Sequence, residues 1–411
     1  MSLYNEKEIR EQRVSFGFIL YVLLTCVVYI LPYTKFVVPY IIAALIMLGS
    51  LLFVVFKQDE DFALIIFLVF LSVLFSVLIW ATGHSLVGSI NDGIRNIRFF
   101  IPAFWTLYAL KYCTQKQKTF FIILFAVLVA FLFIRTSIEL ERDPWVARIL
   151  AQGKETSTDE VNAYRLSNVG GFEFSYMMGI ITFVFLYAAF KVEKPLLKII
   201  FVILVLLCFN YILSTMYTTL LLLTFIGIVI MLIINVQDKG IKIALILLSL
   251  FLLLFSGEIF KFLSTVFPQG SLLSKKFNSL YTALYQEDLT ELGDRPKFII
   301  ESLNRWIQNP IFGKFDPNAY YSHSFIITIL EHTGIVGLLI FGYLFFVMTK
   351  KVYDALKNKQ LPTNLYIISV IYLVLLSFLN PIGYCFEITI AVYFIVPLLT
   401  EFFAQFKKGE D

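Results

Sequence analysis

Charge is scarce in this chain of 411 residues: 15% are Asp, Glu, Lys or Arg, against roughly 25% in a soluble globular domain. With 59% apolar residues and a mean hydropathy of +0.84, that scarcity excludes a soluble enzyme, a disordered chain and a nucleic-acid binder. Cysteine is also sparse. Cys26, Cys113, Cys208 and Cys385 sit in or at the ends of apolar runs without CxxC spacing, so they point to neither a zinc site nor a disulfide framework. No GxxxxGKS/T occurs, which removes a nucleotide-driven motor. Ionisable groups deep in the apolar runs are nearly lacking, Glu331 being the clearest, and this argues against an ion-coupled transporter. The segment Leu31-Pro32-Tyr33-Thr34-Lys35 has no carboxylate after the first run. Asp59-Glu60-Asp61, the only cluster of the DxD kind, falls on the expected cytoplasmic side and reads as a solvated turn. A metal-dependent glycosyltransferase with an acidic motif after its first span is therefore not expected, and neither a metal nor a cofactor is implied.

What the chain has in abundance is uninterrupted apolar sequence, with phenylalanine at 44 positions. A membrane-crossing helix needs roughly 20 apolar residues, because lipid cannot satisfy backbone polar groups. We count twelve such runs, at 14–31, 36–56, 62–80, 97–112, 119–134, 172–190, 196–213, 217–235, 241–257, 323–349, 363–379 and 386–404. The expected fold is an all-α polytopic integral membrane protein of about 12 transmembrane helices, with 1–411 a single membrane domain.

Lysine sets the sidedness. With Lys7, Arg10 and Arg13 in the cytoplasm, the lysines at 57, 111–118, 191–198, 239–242, 350–359 and 407–408 fall on the same side, and only the loop holding Arg95 and Arg98 departs from the positive-inside rule. Both termini are then cytoplasmic. The first span lacks a small-residue cleavage site and reads as an anchor. Two long connections, 135–171 and 258–322, fall outside. Arginine is distributed the other way: Arg95, Arg98, Arg135, Arg142, Arg148, Arg165, Arg295 and Arg305 are all outside. A planar guanidinium suits two-pronged recognition of phosphate or carboxylate, so two or three are expected to bind an anionic ligand, while about half pair with Glu139, Glu141, Asp143, Glu160, Asp294 or lipid headgroups.

The second long connection ends in a patterned segment. Asp294 is placed to cap a helix with Pro296 in its first turn; Ile299, Leu303 and Trp306 recur at i, i+4, i+7, and Pro310 stops it. This predicts an amphipathic helix on the outer membrane surface, with Arg295, Ser302 and Arg305 nearer its polar side. Beyond it, Ser324, Thr328 and Glu331 form a polar stripe, with His323 at its outer end and Glu331 about 12 Å deeper. A histidine there suits a proton acceptor near neutral pH, or an interfacial side chain bonded to a loop. His332 lies half a turn off that face, so the two histidines are not expected to share a metal.

The order Arg295, Asn309-Pro-Ile-Phe-Gly313, His323, Glu331-His-Thr-Gly334 and Gly337 resembles the signature of the O-antigen ligase and O-antigen/capsule polymerase (Wzy-type) family. A second match is Tyr164-Arg165-Leu166-Ser167-Asn168-Val169-Gly170-Gly171, similar to that family's arginine-containing segment before a span. The motifs cover about a quarter of the chain. One departure is Ser214-Thr215-Met216-Tyr217-Thr218, where the family often carries an arginine; another outer arginine such as Arg98 takes over that contact, or the phosphate site differs. The short gap from Pro310 to His323 favours a polymerase over a ligase.

The resemblance implies a GT-C-like architecture and an inverting, metal-independent glycosyl transfer on the outer face of the cytoplasmic (inner) membrane. Its donor and acceptor are undecaprenyl-pyrophosphate-linked oligosaccharide repeat units of an O-antigen, capsule or exopolysaccharide. In that reading His323 takes the proton of the attacking hydroxyl and Arg165 and Arg295, with Arg98 and Arg305 behind them, hold the departing pyrophosphate. Glu331 orients His323 or the helix, or is a buried carboxylate bonded to Ser or Thr on a neighbouring span. Expected partners are membrane lipids and a chain-length regulator and flippase of the same pathway. A ligase passing finished polymer to another acceptor, and a lipid-linked oligosaccharide flippase, are the alternatives.

Overall fold

The computed structural model describes residues 2–56, 62–152, 158–285, 295–315 and 324–406. Asp59 to Asp61, Asp294 and His323 lie outside the described residues. Among the described residues there is no strand. The first helices are α1 (Ser2–Ile30), α2 (Pro32–Val37), α3 (Tyr40–Phe56), α4 (Phe62–Ala81), α5 (Leu86–Arg98), α6 (Ile101–Tyr112) and α7 (Gln115–Arg142). They are followed by α8 (Val146–Gln152), α9 (Thr158–Leu166), α10 (Phe172–Lys191), α11 (Pro195–Ser214), α12 (Thr218–Asn235), α13 (Lys239–Leu254) and α14 (Ser256–Val266). The last are α15 (Leu272–Tyr285), α16 (Arg295–Gln308), α17 (Phe325–Asn358), α18 (Asn364–Leu379), α19 (Phe386–Ile390) and α20 (Val396–Phe406), the last two joined by a π-helical turn, Ala391–Ile395.

Each of the twelve apolar runs contains helix, but they are not equivalent. Among the described residues, seven helices are long and apolar enough to cross a membrane: α4, α7, α10, α11, α12, α17 and the segment Phe386–Ala404. The pair α13 and α14, bent by 76°, makes an eighth if it is one crossing. The apolar parts of α1 and α3, Phe16–Ile30 and Ile42–Phe53, and α18 are shorter. The chain is thus an all-helical, multi-pass membrane protein. Its outward side chains agree: Leu196, Leu206, Leu254 and Leu339 are largely exposed, a surface that water would not tolerate. Both long connections contain helices, and α7 continues to Arg142, past the expected loop start at 135.

The run 97–112 is corrected by the structure. It is not one helix: α5 ends at Arg98, Phe99 and Phe100 form a turn, and α6 begins at Ile101. Pro102 is the physical cause, since it has no N–H for the Arg98 carbonyl and its ring crowds that carbonyl. At 12 residues α6 is about 18 Å long, short of the roughly 30 Å hydrocarbon core. The residues before the break, expected as a loop, form α5, capped by Ser85, whose hydroxyl accepts from the Gly88 N–H at 3.2 Å. The helix packs along α4. A Cβ on Gly93 would run into the Ser72 carbonyl and Ser76, so this glycine permits the close approach. Phe99 at the turn stacks on Phe325 at 5.7 Å.

At the centre lies Phe386–Ala404, 89% buried, while α11 at the periphery is 17% buried. Its π turn presents the Tyr393 carbonyl to the Thr106 hydroxyl, which donates to it. Opposite ends of this segment carry different charges. Near its end, Glu401 accepts from Lys118 at 2.7 Å and from Lys359 at 3.0 Å. Near its start, Glu387 accepts from Lys35 at 2.8 Å. The separation of 14 residues between the two carboxylates corresponds to about 21 Å. Lysines expected on the two sides of the membrane thus stand at opposite ends of one helix.

Lys118 and Glu401 are both buried, so neutralising the carboxylate leaves an ammonium facing an amide. Glu401→Gln is expected to lower stability by about 1–3 kcal/mol. Lys350→Gln, which removes an exposed pair with Asp354, should cost less than about 1 kcal/mol. Unfolding in detergent compares them; equal losses would refute the buried role of Glu401.

Candidate functional site

The described residues of the motif, 309–315 and 324–337, form a single backbone unit. Helix α17 is interrupted at Gly334, where φ is 63° and ψ is −164°, a region open essentially to glycine alone. Such a break leaves carbonyls above it and N–H groups below it without helical partners. The turn after α16 supplies both. Lys314 N–H donates to the Glu331 carbonyl at 3.2 Å and Phe315 N–H to the His332 carbonyl at 2.9 Å. In return, Ile335 N–H donates to the Pro310 carbonyl at 2.9 Å and Val336 N–H to the Ile311 carbonyl at 3.1 Å. The fit is tight from both sides: a Cβ on Gly313 would strike the His332 carbonyl, and one on Gly334 the Ile311 carbonyl. Gly313 has φ of 67°, again the left-handed region.

Helix α16 has the bounds that its sequence punctuation predicted, but Ser302 and Arg305, expected on its polar side, turn toward α17, while Lys297, Asn304 and Gln308 are exposed. Ser302 is fully buried, and Arg305 pairs with Glu331 through Nε at 2.5 Å. The reason is that α16 packs on α17 and places these side chains toward it. Glu331 is 1% exposed, and Arg305 of α16 pairs with it. The expected stripe exists: Ser324 caps α17, accepting from the Ile327 N–H at 3.4 Å, and the Thr328 hydroxyl donates to the Ser324 carbonyl at 2.7 Å. His332 is buried on the adjacent face.

The other arginines are dispersed. Arg295 is the first residue of α16. Arg165 is exposed in the last turn of α9. Arg135 and Arg142 both pair with Glu139, at 3.3 and 3.2 Å, the carboxylate pairing expected for about half of the outer arginines, and Arg95 pairs with Asp92 at 3.1 Å. Beside them, burial and the Asp143 carboxylate, 3.3 Å from its hydroxyl, push the Tyr164 phenol above its ordinary pKa. In place of the absent mid-chain arginine, Met216 takes a left-handed conformation with φ of 61°, and the Tyr217 ring stacks on Tyr176 at 5.9 Å.

Arg98 is buried with its guanidinium 5.8 Å from the Tyr29 ring, in a second cluster that sequence reading missed. Here Lys35 donates to Glu173 at 3.1 Å and to Glu387 at 2.8 Å. Dehydration opposes the charge on Lys35, but the two carboxylates outweigh it and hold its pKa above the ordinary lysine value. The Lys35 segment is further tied down where the Tyr33 N–H donates to the Asn168 side-chain oxygen at 3.0 Å. Asn168 belongs to the Tyr164 to Gly171 motif, so that motif anchors the first connection. Separations of 138 and 352 residues hid the cluster from any local pattern.

A cavity lies between α4, the α5–α6 break and α17, directly beneath Phe315 of the docked turn. His332 and Thr328 line it, but none of the clustered charges does. No protein-family model, curated protein or solved structure matches this chain.

Proposed function

We propose that the protein is a polysaccharide polymerase, a glycosyltransferase of GT-C-like architecture that joins undecaprenyl-pyrophosphate-linked repeat units at the extracytoplasmic face of the cytoplasmic membrane. The observation that carries this reading is the splice of the Pro310 to Phe315 turn into the break of α17. The separate pieces of the resemblance, Pro-Ile-Phe-Gly and Glu-His-Thr-Gly, become one rigid unit with Arg305 fixed at its edge by Glu331. Rigidity matters because stabilising a departing pyrophosphate requires guanidinium groups already in place when negative charge develops.

In the reaction, the acceptor hydroxyl oxygen bonds to the anomeric carbon as the bond from that carbon to the pyrophosphate oxygen breaks. His323 takes the hydroxyl proton, and the electron pair leaves with the lipid pyrophosphate. Arg165, Arg295 and Arg305 are the groups proposed to meet it. Arg98, buried beside the Tyr29 ring, is proposed behind them.

The test is elongation by purified protein in detergent, supplied with lipid-linked repeat units and no ATP, ion gradient or metal. Polymer is expected, and His323→Ala is expected to abolish it with unchanged folding. Protein that leaves the units unreacted yet moves them across a liposome bilayer would establish the flippase instead; normal polymer from His323→Ala would refute the general-base role.

A further inference from the structure

Helix α13 leaves the side marked by Lys239 and Lys242 and runs for 16 residues, about 24 Å. That brings Leu254 to the outer part of a hydrocarbon core roughly 30 Å thick. There the chain bends by 76° into α14. Membrane helices tilt by about 20° on average, so such a bend lays α14 within about 35° of the membrane plane. A turn at Pro268 to Gly270, with Gly270 at φ of 85°, then folds α15 back along α14.

The sides of α14 differ in what they meet. Phe260, Ser264 and, just past its end, Phe267 face α15: both rings approach Phe277, at 6.3 and 5.7 Å, and the Ser264 carbonyl accepts from the Ser274 hydroxyl at 2.6 Å. Glu258, Lys261 and Thr265 form an exposed polar stripe, with Lys261 Nζ 5.4 Å from the centre of the Tyr281 ring. Phe255, Ile259, Phe262 and Val266 recur at i, i+4, i+7 and i+11 and form an apolar stripe, of which Phe262 is 66% and Val266 58% exposed. Apolar exposure is continuous around the bend, from Phe251 and Leu254 on α13 to Phe255 at the joint, so the surface that meets acyl chains along α13 runs on into α14. The polar stripe is centred about 100° round the helix from the apolar one, which suits a helix with one side in lipid and the next in water. A protein laid over both stripes would have to dehydrate Glu258 and Lys261 as well.

We propose that α14 and α15 form an interfacial hairpin docked on the outer leaflet, with the Phe255 to Val266 stripe among the upper acyl chains and the polar stripe at the headgroups. The partner of this surface is the lipid bilayer, not a second copy or another protein. The hairpin thereby ties the start of the long connection that leads to α16 to the membrane. Glu258 and Lys261 put opposite charges on the polar stripe, so the hold is apolar and indifferent to headgroup charge. This placement does not depend on the glycosyl-transfer reading.

The experiment places the full chain in phosphatidylcholine nanodiscs, one protein per disc, with one added surface cysteine carrying a nitroxide; the native Cys26, Cys113, Cys208 and Cys385 are buried. Collision of the label with oxygen, which concentrates in lipid, is compared with collision with a water-soluble nickel chelate. Labels at Phe262→Cys and Val266→Cys are expected to favour oxygen by about threefold or more, and labels at Glu258→Cys and Thr265→Cys to favour nickel by as much. Replacing part of the lipid by phosphatidylglycerol should change neither pattern. A check without substitutions uses the unaltered protein and phosphatidylcholine bearing a diazirine in its acyl chain, with adducts expected in the peptide covering 255–266. Nickel-rich collision at 262 and 266 would put the hairpin in water, and weak collision with both agents would put protein over the stripe; either result overturns the placement. Oxygen-rich collision at 258 and 265 would overturn it too, by sinking the whole hairpin in the bilayer. A pattern that appears only with phosphatidylglycerol, or an acyl-chain probe that leaves 255–266 unlabelled, would have the same consequence.

Discussion

Gly334→Ala is expected to destabilise the protein by roughly 3 kcal/mol or more, because two penalties act together. The backbone at this position has φ of 63° and ψ of −164°, which a side chain does not tolerate. The added Cβ would also meet the Ile311 carbonyl, part of the backbone and unable to swing aside as a flexible side chain could. Relief requires moving the docked turn away, and that gives up the hydrogen bonds from Ile335 and Val336. Gly313→Ala attacks the same splice from the other side. The double variant should therefore cost less than the sum of the two, since one separation relieves both collisions. Gly342→Ala is the control: it lies in the same helix with nothing within 4 Å of a new Cβ, and alanine there should be neutral or stabilising by up to about 1 kcal/mol. Thermal unfolding in detergent measures all four. A Gly334→Ala protein as stable as Gly342→Ala would show that the break and its docked turn are not as described.

Arg305→Ala should cost roughly 3–5 kcal/mol, as it takes the guanidinium away from a carboxylate that water cannot reach. Glu331 is 1% exposed and Arg305 35%, and this asymmetry sets the rank of the variants. In Glu331→Gln the arginine keeps partial access to water, and the loss should be about 1 kcal/mol. Replacing both together, Arg305→Ala with Glu331→Leu, removes the buried charge and should recover much of the stability lost by Arg305→Ala alone. If Glu331→Gln proves the more damaging single change, the carboxylate has a task beyond holding Arg305, and elongation assays on the same variants would locate it.

These two sites differ in how far they could be read from sequence. The bounds of α16 were legible because Pro296 and Pro310 punctuate it and Ile299, Leu303 and Trp306 recur at helical spacing. Where its polar residues would face was not, because a helix pattern identifies an amphipathic face without saying what covers the other one. Burial of Ser302 and the pairing of Arg305 follow from packing on α17. The glycines at 313 and 334 stood out as motif positions, but the positive φ of each, and the carbonyl of the other segment that a Cβ would strike, are not visible in the local sequence pattern. The break between α5 and α6 did have a local signal, Pro102, which hydropathy summed over 97–112 conceals.

The sequence by itself determined that the chain is a bundle of membrane-crossing helices, and broadly where each lies. Lipid imposes that requirement residue by residue: a long apolar stretch must satisfy its own backbone, and helix is the local way to do so. Only the tertiary structure decided which polar groups meet. Lys35 finds Glu173 and Glu387, and Lys118 finds Glu401 from 283 residues away. A buried charge in an apolar bundle has few places to go, so such pairings are strongly enforced once the helices pack, but they depend on packing that no local pattern records.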